Sequence, residues 1–310
     1  MNLRALRYFV AIADAGSLTA AATAISIAQP ALTRQLRELE ADLGAQLFQR
    51  TPRGVLLTQA GVTLYESAQR MLAEAARVRL NLSQRQDTTS TPVALGASPT
   101  LARLILPSLF ENCQHAISGV KLRAREAFTP ALLDWLERGM IDMAIVTNPE
   151  AGRALALHPL LSEPFALVSH TSLKLEPAVS VSQLTRVPVL MTSLHRAIVE
   201  KQLIPLGGRL NVQAEMDSVD SIRELVLRGH CATIMPVSVF NEQRATRTLR
   251  MSEVSGVQLS RLLVLATRLD RQDNSAQNVV REMIAAEFAR MTRRGVFTFV
   301  GNAAADKSAA

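Results

Sequence analysis

Residues 16–40 constrain this chain more than any other stretch. They read Gly16-Ser17-Leu18-Thr19-Ala20-Ala21-Ala22 and, after Ser26 and Ile27, Gln29-Pro30-Ala31-Leu32-Thr33-Arg34-Gln35-Leu36-Arg37-Glu38-Leu39-Glu40. Ser17 is a good N-cap, because its hydroxyl accepts from a backbone N–H that the first helical turn leaves without a partner. The run of alanines lets a second backbone approach closely. Pro30 has no N–H to give and fits only the first turn of a following helix. The stretch is therefore two short helices joined by a tight turn, with Ile27 as its apolar plug.

The second helix has two faces. Leu32, Leu36 and Leu39 follow at spacings of four and three and share one side. Gln29, Thr33, Arg34 and Arg37 fall on another arc, with Glu38 and Glu40 off it. Hydrogen-bonding groups and cations without an acid suit base edges flanked by phosphates, as when the second helix of a helix-turn-helix enters a major groove. An ordinary helical hairpin with a solvated polar face satisfies the same pattern, so the flanks decide.

Upstream, residues 2–14 make a helix with Leu3, Leu6, Phe9, Val10 and Ala13 on one side. Downstream, Leu43-Gly44 is a helix stop. Residues 46–50 and 55–57 read as short strands around Thr51-Pro52-Arg53-Gly54, which is turn chemistry. Three helices and a β-wing form a winged helix-turn-helix, with Pro30 in its second helix and Arg50 and Arg53 placed to reach phosphate or the minor groove.

Thr58 caps a long helix predicted to run to about Gln86. Leu64, Ala68, Met71, Ala75, Val78 and Leu82 form its heptad seam, narrower than the stripe of a helix lying on a large core. An identical helix from a second chain is the simplest partner, and a dimer presents two recognition helices to two half-sites. Packing of the seam on the chain's own C-terminal part is the alternative. Residues 86–92, polar and ending in Pro92, form a linker.

Beyond it the texture alternates, strand with helix, predicting parallel sheet covered by helices. Strands are expected at 93–96, 120–125, 141–146, 165–169, 187–191, 210–214, 231–235 and 259–266. Helices are expected at 99–112, 130–138, 196–203, 219–228 and 278–292, and residues 301–310 read as a disordered tail. The domains are thus 1–58, a linker and dimerisation helix with hinge over 59–91, and a regulatory part over 92–300.

Ligands in open α/β sheets sit beyond the carboxyl ends of strands, at helix N-termini. Ser98-Pro99-Thr100 and Phe128-Thr129-Pro130 both place a hydroxyl before a helix that starts with proline, aiming N–H groups at a carboxylate or phosphate. Thr147 and Thr192-Ser193 end further strands, followed by His195-Arg196. Phe128 supplies an apolar wall. Capping alone also explains each hydroxyl taken singly; their convergence favours a small organic anion, with His195 or Arg196 as its counter-charge or Arg196 simply a surface residue.

The 310 residues are 48% hydrophobic, and the formal net charge of +7 favours a polyanionic partner. No apolar run approaches the ~20 residues of a membrane span, and the N-terminus lacks a signal-peptide core, so a cytoplasmic protein is expected. The two cysteines, Cys113 and Cys231, make neither a disulfide framework nor a metal cluster. They leave a redox-sensor reading open, although both fall in packing positions. No Gly-rich phosphate loop, metal-ligand spacing or Gly-x-Ser-x-Gly elbow is present, so neither an enzyme nor a cofactor is expected.

Assembled, the chain resembles a LysR-type transcriptional regulator over nearly its whole length. The matching positions are Phe9, Gly16 to Ala22, Gln29-Pro30-Ala31-Leu32-Thr33, Leu39-Glu40, Leu43-Gly44, Leu47-Phe48, Arg50, Arg53-Gly54, Leu57-Thr58 and Gly61. Ala28 and Thr33 depart from it, each standing where serine is commoner. The resemblance implies a homodimer or homotetramer with paired linker helices on an inverted-repeat DNA site, and contact with RNA polymerase. It also implies a regulatory domain like a periplasmic binding protein, of two α/β lobes: one over about 92–161 and 268–300, the other over about 162–267, with the effector between them.

Overall fold

Asn2 opens the first helix of the computed structural model, which describes residues 1–52, 54–83, 91–116, 120–150, 154–246, 248–269 and 274–299. Arg53, most of the linker and the tail 301–310 lie outside the described residues, as do the side chains of Arg50 and Leu82. Asn2 Oδ1 accepts from the Ala5 N–H at 2.9 Å, and α1 (Leu3–Ala15) ends where Gly16 turns left-handed at φ 61°. Ser17 Oγ accepts from the Ala20 N–H at 3.4 Å and starts α2 (Leu18–Ala24). After a turn at Ser26 (φ 55°), α3 (Gln29–Leu43) carries Pro30 in its first turn and stops at Gly44. Ala28 gives α3 no side-chain cap, a loss of about 1 kcal/mol against serine.

The three helices bury Leu6, Phe9, Ile12, Leu32, Leu36 and Leu39 in one cluster, and Ile27 packs half-buried against it. The wing, β1 (Phe48–Thr51) against β2 (Gly54–Leu57), joins this core through Phe48, whose ring lies 5.2 Å from that of Phe9. Two glycines make the docking possible. A Cβ on Gly54, at φ 137°, would stand 2.2 Å from the Gly16 carbonyl oxygen, and one on Gly61 would stand 2.1 Å from that of Leu47.

Thr58 caps α4 (Gln59–Ser83) by accepting from the Gly61 N–H at 3.0 Å while donating to the Gln46 carbonyl at 2.7 Å. The α4 seam is divided. Ala68 is fully buried and Leu64 half-buried in the N-terminal cluster, against the chain's own helices. Met71 and Val78 are 43% and 44% exposed, with Ala75 half-buried between them. So the first turns of the seam are engaged by α1, which the heptad pattern could not reveal, and the later turns are open.

Contacts divide the chain into two units, Met1–Ser90 with Asp134–Ile141, and Thr91–Leu133 with Asp142–Ala310. In the second, β3 (Thr91–Ala97) leads into α5 (Pro99–Ala116) and pairs in parallel with β4 (Val120–Glu126). After α6 (Thr129–Glu137), β5 (Met143–Thr147) pairs with the other edge of β3. The long β6 (Leu155–His170) is followed by β7 (Ala178–Ser180), α7 (Val181–Leu184), β8 (Pro188–Met191), α8 (Ser193–Leu203) and β9 (Asn211–Glu215). Then come α9 (Val219–Leu227), β10 (Ala232–Pro236), a short 3-10 stretch, β11 (Leu249–Ser255), β12 (Ser260–Arg268) and α10 (Ser275–Arg293).

The strand order is β4-β3-β5-β12-β6-β10-β8-β9, with β11 and β7 to the side. One lobe buries Leu95, Ile105, Ile145, Leu265, Ile284 and Phe288 between its strands, α5 and α10. The other buries Leu167, Val189, Met191, Val199 and Ile234. β6 belongs to both, pairing with β12 as far as Pro164 and with β10 from Phe165 onward. The chain returns at Leu259–Ser260, and there the Phe165 N–H donates to the Leu259 carbonyl at 2.8 Å. β12 pairs with β5, Leu263↔Thr147 to Thr267↔Met143, so it extends the first lobe's sheet and not the second's, where the sequence reading had put it. An apolar run cannot say which sheet receives it.

Candidate functional site

Gln29, Pro30, Arg34 and Arg37 are exposed on α3, with Thr33 half-buried among them. Thr33 Oγ1 donates to the Gln29 carbonyl at 3.0 Å, and Gln29 Nε2 to Thr33 Oγ1 at 3.4 Å, which pre-arranges the first turn. One expectation needs correction: Glu38 is not clear of this arc. Its Oε1 lies 3.0 Å from Arg34 Nε, one helical turn back, with the Arg34 side chain 79% exposed. Such a pair contributes about 0.3–0.5 kcal/mol, so phosphate or a guanine edge displaces it cheaply. Glu40 is engaged elsewhere, its Oε1 accepting from the Leu47 N–H at 2.8 Å, which ties α3 to the wing.

The other site lies within the second unit, where Arg261 on β12 stands directly across from Glu163 on β6. Both side chains are buried, at 1% and 0% exposure. Arg261 Nε donates to Glu163 Oε2 at 2.9 Å, and Nη2 approaches the same oxygen to 2.7 Å at an angle that makes an ion-pair contact without a hydrogen bond. The pair reaches into both lobes. Arg261 Nη1 donates to Thr100 Oγ1 at 3.1 Å in the first turn of α5, while Glu163 Oε1 accepts from the Ser238 N–H at 3.0 Å.

Arg261 Nη1 also lies 3.5 Å from His195 Nε2. A guanidinium only donates, so Nε2 must accept and the neutral ring carries its proton on Nδ1. That Nδ1–H is buried without a partner among the described residues. Burial, and then the Arg261 charge, holds His195 well below the ordinary imidazole range. Its ring meets Phe165 edge-on at 5.6 Å.

Above this pair opens a cavity of about 260 Å³, lined by Thr100 and Arg103 of α5, Asp217 and Asp220 around the start of α9, and Ser238 and Glu242 after β10. Arg103 spans its mouth, 2.8 Å from Glu242 and 3.6 Å from Asp220.

Of the sequence-predicted effector residues, the fold brings together Ser98, Thr100 and His195, with Ser98 Oγ 3.5 Å from Thr100 Oγ1. The others are engaged differently. Thr129 Oγ1 accepts from the Thr147 N–H at 3.0 Å and donates to its carbonyl at 3.3 Å, tying α6 to β5, although Thr147 Oγ1 is buried without a partner among the described residues. Thr192 is the α8 N-cap, accepting from the His195 N–H at 3.1 Å. Ser193 gives both its N–H and its hydroxyl to Asp217 Oδ1, each at 2.8 Å, and Phe128 is half-buried outside the cavity lining. Arg196, read as a counter-charge to the effector or a surface residue, pairs with Glu200 and Glu215 and is outside the cavity lining. Arg261, Glu163, Ser238 and Arg103 were missed. A faint signal existed: an arginine and a glutamate each directly before an apolar run, Ser260-Arg261-Leu262-Leu263 and Glu163-Pro164-Phe165-Ala166.

Residues 3–62 match the family model described as a bacterial regulatory helix-turn-helix protein of the lysR family, and residues 86–289 match the LysR substrate binding domain. The chain belongs to the LysR family of transcriptional regulators. Among LysR relatives, the nitrogen assimilation regulatory protein nac of Klebsiella aerogenes is 33% identical over 245 residues, covering 77% of this chain and 79% of that protein. The hydrogen peroxide-inducible genes activator of Dickeya chrysanthemi is 30% identical over 250 residues, covering 79% and 82%. An OxyR structure from Corynebacterium glutamicum aligns at TM-score 0.56 and 28% identity over 95% of this chain and 92% of that one. Full-length CbnR in complex with its target DNA aligns at TM-score 0.60 and 21% identity over 95% and 99%, a likeness of fold. The N-terminal unit is therefore a LysR DNA-binding domain, and the two-lobed unit is the domain through which LysR regulators bind effectors, a binding and not a catalytic scaffold. No described helix is long and apolar enough to cross a membrane.

Proposed function

We propose that the chain acts as a homodimer or homotetramer on an inverted-repeat DNA site and responds to a small carboxylate-bearing effector held between its regulatory lobes. The arc Gln29, Thr33, Arg34 and Arg37 carries the DNA half of this reading: donors and cations that α3 leaves outside the core formed by its buried leucines. Arg50 and Arg53 of the wing serve backbone phosphate, and Met71, Ala75 and Val78 meet a second copy. The bound dimer engages RNA polymerase.

For the effector half, the support is the buried polar cluster at the lobe junction. Thr100 stands at the N-terminus of α5, whose free N–H groups and dipole favour an anion, and the His195 Nδ1–H is a donor in want of an acceptor. Effector closure then shifts the balance between assemblies on DNA, which requires unequal affinity for them. Footprinting of the full chain on its own upstream region tests the DNA half. Arg34→Ala should lose roughly 1–3 kcal/mol of discrimination between operator and random DNA. Equal losses on both would contradict base reading by Arg34.

A peroxide-sensing thiol, suggested by the names of some relatives, finds no support here. Cys113 and Cys231 are both buried, and burial pushes each thiol up, away from the reactive thiolate.

A further inference from the structure

Charge around the interlobe cavity is lopsided. Glu126, Asp217, Asp220 and Glu242 line it, against one guanidinium, that of Arg103, among the described residues. Arg103 is already held by Glu242 and Asp220, and Asp220 also meets Arg223 at 3.0 Å. An effector carrying only negative charge would enter against this rim, at the cost of like-charge repulsion. The lining carboxylates do not gather: no three Asp, Glu, His or Cys groups among the described residues are spaced to hold a metal ion.

Donors stand on another part of the wall. Ser238 lines the cavity at 6% exposure, and its Oγ has no hydrogen-bond partner among the described residues. A buried hydroxyl without a partner is costly, so it marks a place for a group that the chain does not supply. Thr100 lines the same cavity in the first turn of α5, an 18-residue helix whose positive end adds to the pull on an anion.

Resting on the effector reading above, we infer that the ligand of this cleft is a small amino acid or ω-amino acid, its carboxylate at Thr100 and Ser238 and its ammonium toward Glu126 and Asp217. Carboxylate and ammonium then each meet their complement across one cavity, which neither a dicarboxylate nor a diamine achieves.

The test is calorimetric titration of the full chain with three probes of matched length: succinate, 4-aminobutyrate and putrescine. 4-Aminobutyrate should bind about tenfold or more tightly than either of the others, a gap of about 1.4 kcal/mol. Glu126→Gln, an exposed change that leaves the core intact, should narrow the gap over succinate, and Ser238→Ala should weaken 4-aminobutyrate while leaving putrescine unaltered. Succinate binding as tightly as 4-aminobutyrate would overturn the ammonium assignment and leave the carboxylate-effector reading standing. Putrescine binding tightest, or silence from all three probes, would overturn the inference outright.

Discussion

Arg261→Met is the sharpest perturbation available, because it strips one partner from an ion pair with almost no solvent contact. Arg261 has three polar neighbours: Glu163 Oε2 at 2.9 Å from Nε and 2.7 Å from Nη2, Thr100 Oγ1 at 3.1 Å, and His195 Nε2 at 3.5 Å. Methionine fills much the same volume but leaves the Glu163 carboxylate with the Ser238 N–H as its one remaining donor from this network. Removing one member of a buried pair costs about 3–5 kcal/mol, since a charge stays behind in a medium that cannot solvate it. For a domain of this size that is roughly 10 °C in the midpoint of the regulatory unit, followed by calorimetry. Glu163→Leu alone should cost a comparable amount, by orphaning the guanidinium. The double variant should recover to within about 1–2 kcal/mol of the parent, because pairs replaced together by apolar side chains are often neutral. A coupling of at least about 2 kcal/mol is thus expected from the cycle. Additive losses in the double variant would refute the reasoning and show that each side chain acts through its packing alone.

Other outcomes follow from single features. The depressed His195 means that the unfolded chain binds a proton which the folded chain refuses, so its contribution is present above the unfolded value of about 6.5 and is lost as pH falls below it, by up to about 1.4 kcal/mol per pH unit. Urea midpoints of the parent should therefore drop between about pH 7 and pH 5 more steeply than those of His195→Gln, and parallel curves would contradict a buried neutral imidazole. Met71→Lys with Val78→Lys should give a monomer by light scattering, with stability per monomer altered by no more than about 0.5 kcal/mol; a persistent dimer would move the interface elsewhere. Gly61→Ala should cost about 3 kcal/mol by chemical denaturation, since the new Cβ meets the backbone oxygen of Leu47 at 2.1 Å and not a side chain that can step aside.

The N-terminal unit was legible because its rules are local. Ser17, Pro30, Gly44 and the Leu32-Leu36-Leu39 stripe act within a few residues of themselves, and the helices fall where they dictate. The Arg34–Glu38 contact escaped an angular reading of the helix, since long side chains one turn apart reach across the arc between them. In the regulatory unit, Thr129 reads as a helix cap and Thr192 as a strand end, yet the Thr129 hydroxyl is taken up by the Thr147 backbone and it is Thr192 that caps α8. The polar centre depends on Glu163 and Arg261, 98 residues apart, meeting by strand register, which no local spacing encodes. Strand β6 was read only from Phe165 because Pro159 and Pro164 break its pattern, although both sit opposite β12, Pro159 at the irregularity in its pairing at Leu263/Val264 and Pro164 at its end, opposite Ser260.

The two passages between the lobes, at Pro164–Phe165 and Leu259–Ser260, lie side by side and are bridged by one amide. Bodies joined along so narrow a line have one soft coordinate, a torsion about it. Glu163 and Arg261 flank that axis, and Arg103, one helical turn beyond Thr100, reaches from one lobe to the carboxylates of the other, so a twist about the axis is felt first in that outer ion pair.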